Sequence, residues 1–305
     1  MSLKTNVTYY PAMPSAFKEK LLSDEFIVTS EISPPKGVDV SSVFEEAGLV
    51  RDYVDAFNVT DNQRAVMRMS PLAMGHLLKE QGLDIIMQFT CRDRNRLALQ
   101  SDLLGAYAMG MENVCIMSGD YPTKGDNPGA KPVYDLDSVQ LLGAMNQLED
   151  GYDIAGNPLE SAPSFTKGAV CNTEPDQPLQ LMKLEKKAHM GIDFFQTQAV
   201  YDIGHFETFM EGISHMEVPV LAGLIPLKSA HMARFMNEKI PGIRVGDELI
   251  ARMESSTDPA EEGLLICAEQ IRELKKVCRG IHLMPIGHYG HITALFEMAG
   301  LHEKH

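Results

Sequence analysis

One pattern constrains this chain more than any other: short apolar, β-branched runs recur eight times, separated by longer amphipathic stretches. The runs are Phe26–Ser33, Ala56–Asp61, Asp84–Cys91, Asn113–Asp120, Thr166–Asn172, Phe194–Asp202, Val218–Pro226 and Gly280–His288. Most are near-continuous hydrophobic stretches rather than strict alternations, as strands buried on both faces require. Helical spacing fills the intervals Ser41–Val54, Pro71–Gln81, Asn95–Met109, Asp137–Leu148, Leu179–Met190, His205–Ile213, Ser229–Glu238 and Gly290–Met298. Several of these begin at a capping side chain or stop at a glycine.

Strands alternating with helices give a parallel sheet, and eight such units match a closed (β/α)8 TIM barrel. A doubly wound open sheet also satisfies the alternation, but eight regular repeats favour closure. No boundary linker interrupts the pattern, so residues 1–305 are expected to form a single barrel domain. Two additions stand out. Met1–Glu25 is an N-terminal extension, with Ser15–Leu22 read as a helix that plugs the barrel floor or makes an edge contact. Pro241–Arg279 is a helical insertion before the last strand, carrying two helical patterns. Asp150–Pro163 reads as a polar loop.

Composition excludes several functions. The chain has 27 Lys and Arg against 42 Asp and Glu, a net charge of −15, which repels a phosphate backbone and an anionic lipid surface. No apolar run approaches the ~18 residues of a membrane span. Residues 1–11 have no apolar core of a secretory signal, so a cytoplasmic location is expected. The five cysteines are dispersed, with no C-x-x-C pair, and read as small buried hydrophobes in a reducing compartment. The 19 methionines read as core filler.

In a barrel of this kind the reactive groups gather at the C-terminal strand ends. Those ends supply Glu31, Thr60, Asp61, Asn62, Gln88, Thr90, Ser118, Gly119, Asp120, Asn172, Glu174, Gln196, Gln198, Lys228 and His288. Apart from Lys228 and the Arg92–Arg96 cluster this ring is carboxylate and amide, suited to a heterocycle edge that both donates and accepts. Glu31 interrupts an apolar run just before Pro34-Pro35. Unpaired there, its charged form would be disfavoured by desolvation, which suits a general acid. Gln198 similarly needs a partner in the barrel mouth. Single carboxylates such as Asp61 and Asp120 would equally serve as caps or surface groups. Dinucleotide, P-loop, H-E-x-x-H, G-x-S-x-G and zinc patterns are absent. His288 and His291 lack a third ligand, so no metal is expected. Lys167 and Lys228, placed near the ends of the fifth and seventh strands, are weak candidates for imine-forming lysines.

Taken in order, these strand ends resemble the methylenetetrahydrofolate reductase family. TSEISPP around Glu31 resembles that family's E-F-F-P-P, and Thr60 in AFNVTDN its second-strand V-T-Y. QFTC at Gln88–Cys91 is similar to H-L-T-C, and SGDYP at Ser118–Pro122 to R-G-D-x-P. Phe195–Asp202 with Gln198 resembles T-Q-F-x-x-D, and GLIP at Gly223–Pro226 resembles G-I-x-P.

The resemblance implies a flavoprotein barrel (FAD, with FMN as the alternative) that reduces 5,10-methylenetetrahydrofolate to 5-methyltetrahydrofolate. Hydride would pass from NAD(P)H to flavin and then to folate at one face. It implies Glu31 as the general acid of ring opening, and Asp120 beside both flavin and pterin. Gln198 and His288 would lie on the substrate. Thr60, Gln88, Ser118, Gly119, Asp120, Asn172 and Lys187 would lie on the flavin. There are departures. Ser118 replaces the arginine of R-G-D, and Gln88 replaces a histidine. Asn172–Pro175 shortens a segment that carries a flavin-packing aromatic. His282–His288 replaces F-Y-T-L-N-R, losing an aromatic and an arginine. These changes imply weaker flavin binding or the use of FMN, and they leave two donors open, NAD(P)H or a partner subunit of an electron-transfer complex docked on the extension or the insertion. An oligomer is expected. The competing readings are a non-redox pterin-binding barrel, methyltransferase or synthase, and a non-catalytic subunit of such a complex.

Overall fold

The computed structural model describes residues 15–174, 178–240, 242–287 and 289–303. Eight parallel strands close into a barrel in chain order: β1 (Ile27–Ile32), β2 (Ala56–Val59), β3 (Ile85–Thr90), β4 (Asn113–Met117), β5 (Thr166–Cys171), β6 (Phe194–Ala199), β7 (Val220–Leu224) and β8 (Gly280–Leu283). The seam is made by β8 against β1, with Thr29 opposite His282 and Ser30 opposite Leu283. Closure is the outcome the eight repeats favoured, and it removes every sheet edge.

After α1 (Ala16–Leu22), the helices outside the barrel are α2 (Ser41–Val50), α3 (Pro71–Lys79), α4 (Arg96–Ala108), α5 (Ser138–Glu149), α6 (Pro178–His189), α7 (Ile203–Ile213), α8 (Ala230–Lys239) and α11 (Tyr289–Met298). Their starts follow local chemistry. Asn95 accepts from the Ala98 amide at 3.1 Å. Asp137 and Gln140 form a reciprocal capping box on α5, satisfying amides that the first turn leaves without partners. Outward-facing strand residues such as Ile32, Phe57, Val59, Met87 and Ile116 pack against the apolar stripes of these helices in one continuous core.

The insertion adds α9 (Asp247–Ser255) and α10 (Pro259–Leu274). It builds a satellite core of Tyr201, Leu227, Met236, Val245, Ile250, Met253 and Ile266, so it is tied to the strand ends of the β6–β7 side. At the opposite end α1 caps the floor. Phe17 is fully buried among Ile27, Ala56, Ile86, Cys115 and Leu221, and it meets Phe194 edge-on with ring centroids 5.4 Å apart. The plug expected of this helix is what the fold contains; residues 1–14 of the extension lie outside the described residues. No helix among the described residues is long and apolar enough to cross a membrane.

Candidate active site

Alternation along each strand turns every second side chain into the barrel. The floor layer is apolar, but the next layer is polar: Thr29, Asn58, Gln88, Gln196 and His282, all buried. Asn58 Nδ2 donates to Gln196 Oε1 across the barrel at 2.7 Å. Above this layer the strand ends open into a cleft of about 410 Å³. Its lining includes Glu31, Gln63, Gln88, Ser118, Gly119, Asp120, Asn172, Lys183, Lys187, Gln196, Gln198, His282 and Met284. Larger depressions lie elsewhere, between α7 and the end of α10 and between α7, α9 and α10. The first lies beside Val218 at the start of β7 and the second beside Tyr201 and Asp202 just past β6, and neither includes Glu31, Gln88 or Asp120.

Glu31 is the penultimate residue of β1, at 7% exposure. Its surroundings differ from the wholly apolar setting its flanking sequence suggested, because the barrel interior opposite it is polar. Gln63 Nε2 donates to Oε1 at 2.8 Å, and Oε2 lies 3.9 Å from His282 Nε2. Tyr289 donates its hydroxyl to the Glu31 carbonyl at 2.7 Å. Ser118, Gly119 and Asp120 follow β4, with Gly119 at φ +84°. Asp120 is half-exposed and pairs with Lys124 at 3.3 Å.

The β2 and β4 loops are pinned together by Arg92. It is 2% exposed, and its guanidinium donates to the carbonyls of Asn62 at 3.1 Å and Asp120 at 3.2 Å. Asp61 is also structural. It accepts from the amide and hydroxyl of Thr90, both at 2.9 Å, and pairs with Arg94. Burial pushes its carboxyl above the ordinary range against the pull of Arg94. The Arg92–Arg96 cluster therefore builds the rim rather than offering free cations.

A break in the β6–β7 register between Gln196 and Ala199 lets Gln196, Thr197 and Gln198 all face the cleft, as a bulge does when it re-aims a side chain. On α6, Lys187 is buried and donates to the Val170 carbonyl; burial holds its ammonium below the usual lysine range.

Of the residues singled out from sequence, the cleft gathers Glu31, Gln88, Ser118, Gly119, Asp120, Asn172, Lys187 and Gln198. Thr60 is fully buried behind them, its hydroxyl 3.4 Å from Ser33 Oγ, and it does not line the cleft. His288 lies outside the described residues. Lys167 is corrected outright: it stands at the start of β5, the wrong end for chemistry, bound to Glu149 and Asn146 at 2.7 Å each. Lys228 is exposed.

Sequence reasoning passed over Gln63 and Lys183, and it looked to His288 where His282 faces Glu31. The available signal was a lone histidine inside the strand Gly280–Leu283, at a position whose alternation points inward. Among the described residues, no group of three His, Cys, Asp or Glu could hold a metal ion. The cysteines are unpaired, and burial pushes the Cys91, Cys115, Cys171 and Cys267 thiols up to about 12.

The sequence pattern of the methylenetetrahydrofolate reductase family matches residues 16–300. The chain belongs to that family. Among curated members, a Caenorhabditis elegans protein described as a probable methylenetetrahydrofolate reductase (NADPH) is 24% identical over 236 residues, 72% of this chain and 33% of that protein. The Saccharomyces cerevisiae methylenetetrahydrofolate reductase 2 is 27% identical over 153 residues, 48% of this chain and 24% of that one. The matches thus span a third or less of those relatives' lengths. In three dimensions, a Clostridium thermocellum protein described as binding two copies of 5-methyl-5,6,7,8-tetrahydrofolic acid superposes with TM-score 0.64 at 16% identity. The superposition covers 93% of this chain and 97% of that one, and it gives the reductase-family chain the same fold.

Proposed function

We propose that this chain reduces 5,10-methylenetetrahydrofolate to 5-methyltetrahydrofolate at the barrel mouth, with Glu31 as the general acid. The observation that carries the reading is the convergence on one cleft of a carboxylic group and amides from several strands, the donor and acceptor set a pterin edge requires. Family membership supports it, as does the tetrahydrofolate described for the Clostridium thermocellum barrel.

The family generally uses a flavin and NAD(P)H, and the residues present fit a flavin. Gln88, Asn172 and the Ser118–Asp120 backbone offer hydrogen bonds to a ring system, and Lys183 and Lys187 offer cations for its phosphate side. FAD is the preferred form and FMN the alternative. A bound flavin supplies the hydride chemistry.

The chain's own residues do the rest. Asp120 and Gln198 orient the pterin across the mouth. Glu31 gives its proton to a nitrogen of the five-membered ring, opening it to the iminium that accepts hydride. Gln63 holds the second carboxyl oxygen. The apolar floor closed by Phe17 keeps water from entering beneath the site. Electrons arrive from NAD(P)H or from a partner subunit docked on the α9–α10 insertion.

A second reading, a pterin-binding barrel without redox chemistry, is favoured by one observation: no Phe or Tyr lines the cleft among the described residues. The absorption spectrum of the purified protein separates the two. The proposal expects a flavin band at about 450 nm that reductant bleaches and methylenetetrahydrofolate restores. Tetrahydrofolate binding without any flavin band favours the second reading. Bleaching tried in turn with NADH, NADPH and an artificial reductant identifies the donor class.

A further inference from the structure

The chain between α8 and α9, where the insertion begins, comes up against two amides on the β5–β6 side of the cleft. A Cβ added to Gly242 would lie 2.8 Å from Asn172 Oδ1, 2.9 Å from Gln198 Oε1 and 3.2 Å from Asn172 Nδ2, inside normal contact distance of all three. Gly242 has φ +83°, a conformation glycine adopts freely, and the hydrogen it carries toward the amides is the largest group the space admits. Gly242 does not line the cleft itself; Asn172 and Gln198 do.

The turn is held from behind. Ile243 and Val245 are buried in the satellite core of the insertion. Asn237 of α8 clasps Val245, accepting from its amide at 2.7 Å and donating to its carbonyl at 2.9 Å. Arg244 pairs with Glu174 at 3.2 Å, and the Glu174 amide donates to Asn172 Oδ1 at 3.3 Å. The amides are the softer side of the contact. Gln198 is exposed, and among the described residues nothing hydrogen-bonds its side chain. Its place is therefore set by the break in the β6 register and by the glycine surface it rests on.

We infer that Gly242 is a positioning residue for the substrate: its turn seats the Asn172 and Gln198 amides, which makes the insertion a wall of the folate site. This rests on the reading of Gln198 as a group that orients the pterin. Gly242 touches no reacting atom and acts through the two amides. A methyl group on it pushes both amides off their places, and a hydrogen bond weakens steeply once its geometry is lost. The loss falls on folate binding rather than on proton delivery, because Glu31 stands on β1, four strands round the barrel from β5.

The test is a double-mutant cycle on folate-driven reoxidation of the chemically reduced, flavin-saturated chain, with Gly82→Ala as the control. Gly82 has φ +76° and nothing within 4 Å of an added Cβ, so its alanine bears the backbone strain without the contact. Gly242→Ala and Gln198→Ala should each raise the KM for methylenetetrahydrofolate about tenfold and leave kcat within about threefold of wild type. Gly82→Ala should change neither. The double variant should stay within about threefold of Gln198→Ala, because the glycine acts through that amide. Where Gln198→Ala raises KM, a normal KM in Gly242→Ala, a multiplicative loss in the double variant, or a fall in kcat at unchanged KM overturns the inference. A second readout needs no folate. In ¹⁵N spectra of the full chain labelled on asparagine and glutamine, the Asn172 and Gln198 side-chain signals are assigned by their loss in Asn172→Ala and Gln198→Ala. Both should move in Gly242→Ala and hold still in Gly82→Ala. Should Gly242→Ala not fold, Arg244→Ala frees the same turn from Glu174 and should move the same two signals. Signals that hold still overturn the inference. Moved signals together with a normal KM in Gln198→Ala keep the positioning and refute the role proposed for Gln198 instead.

Discussion

Gly119→Ala, compared with Gly82→Ala, measures how tightly the β4 end of the site is built. Both glycines have positive φ, +84° and +76°. An alanine at either one therefore bears the left-handed cost of about 1–2 kcal/mol. They differ in surroundings. At Gly82 nothing lies within 4 Å of an added Cβ. At Gly119 it would meet Thr90 Cβ at 3.1 Å, Thr90 Cγ2 at 3.2 Å and Arg92 Cβ at 3.3 Å. Neither neighbour can give way freely, because Thr90 is fixed to Asp61 by two hydrogen bonds and Arg92 ties down the Asn62 and Asp120 carbonyls. Overpacking of this kind costs a further ~1–3 kcal/mol. Urea unfolding should therefore show Gly82→Ala destabilised by about 1–2 kcal/mol and Gly119→Ala by about 2–5 kcal/mol. Relief of the clash would displace Ser118 and Asp120, so flavin retention should fall only in Gly119→Ala. Equal losses of stability in the two variants would refute the argument that the Asp61–Thr90–Arg92 network rigidly backs this side of the cleft.

Other expectations follow from the same geometry. Phe17→Ala leaves a hole in the barrel floor, and calorimetry should find roughly 3–5 kcal/mol lost and a Tm lower by about 5–8 °C; a shift under about 3 °C would mean that the plug contributes little. Lys187→Met removes an ammonium whose desolvation is unfavourable, so the flavin-free protein should melt at or above the wild-type temperature while flavin affinity drops about tenfold or more. A less stable apoprotein with unchanged flavin affinity would contradict both halves. The Asp135 carboxyl is held down to about 2, from 3.8, by the hydrogen bonds and charge of Arg96. A depressed acid stabilises above its unfolded value, and that stabilisation is lost as pH falls through the folded one. The stability gap between wild type and Asp135→Asn should thus be constant above about pH 5 and close between about pH 4 and 2, as read by urea titration at each pH.

The barrel was legible because buried parallel strands need unbroken apolar runs, and each of the eight runs contains its strand. The ends were less so. Asn113–Asp120, Phe194–Asp202 and Gly280–His288 overshoot β4, β6 and β8 by three to five residues, since the apolar pattern does not mark where the chain turns out of the ladder, as it does with positive φ at Gly119 and at Ile286 and Gly287. Glu31, Gln88 and Gln198 could be read from sequence as polar residues inside apolar strands. Gln63 could not, because a left-handed loop with no glycine aims it, and nothing in Asn62–Ala65 announces that conformation. His282 was visible in principle. Its meaning depends on the β8–β1 seam that sets it opposite Thr29, a long-range pairing that one-dimensional patterning does not supply. Thr60 shows the reverse case, a strand-end residue that the barrel turns away from the cleft.

The most direct test of the central claim is the pair of half-reactions of Glu31→Gln followed separately by stopped-flow absorbance. Reduction of its flavin should proceed within about twofold of wild type, and methylenetetrahydrofolate should still bind, while its reoxidation by that folate slows by about 10² or more, the usual contribution of a general acid. Reoxidation within about threefold of wild type would mean that the proton comes from elsewhere and that Glu31 is not the acid of this site.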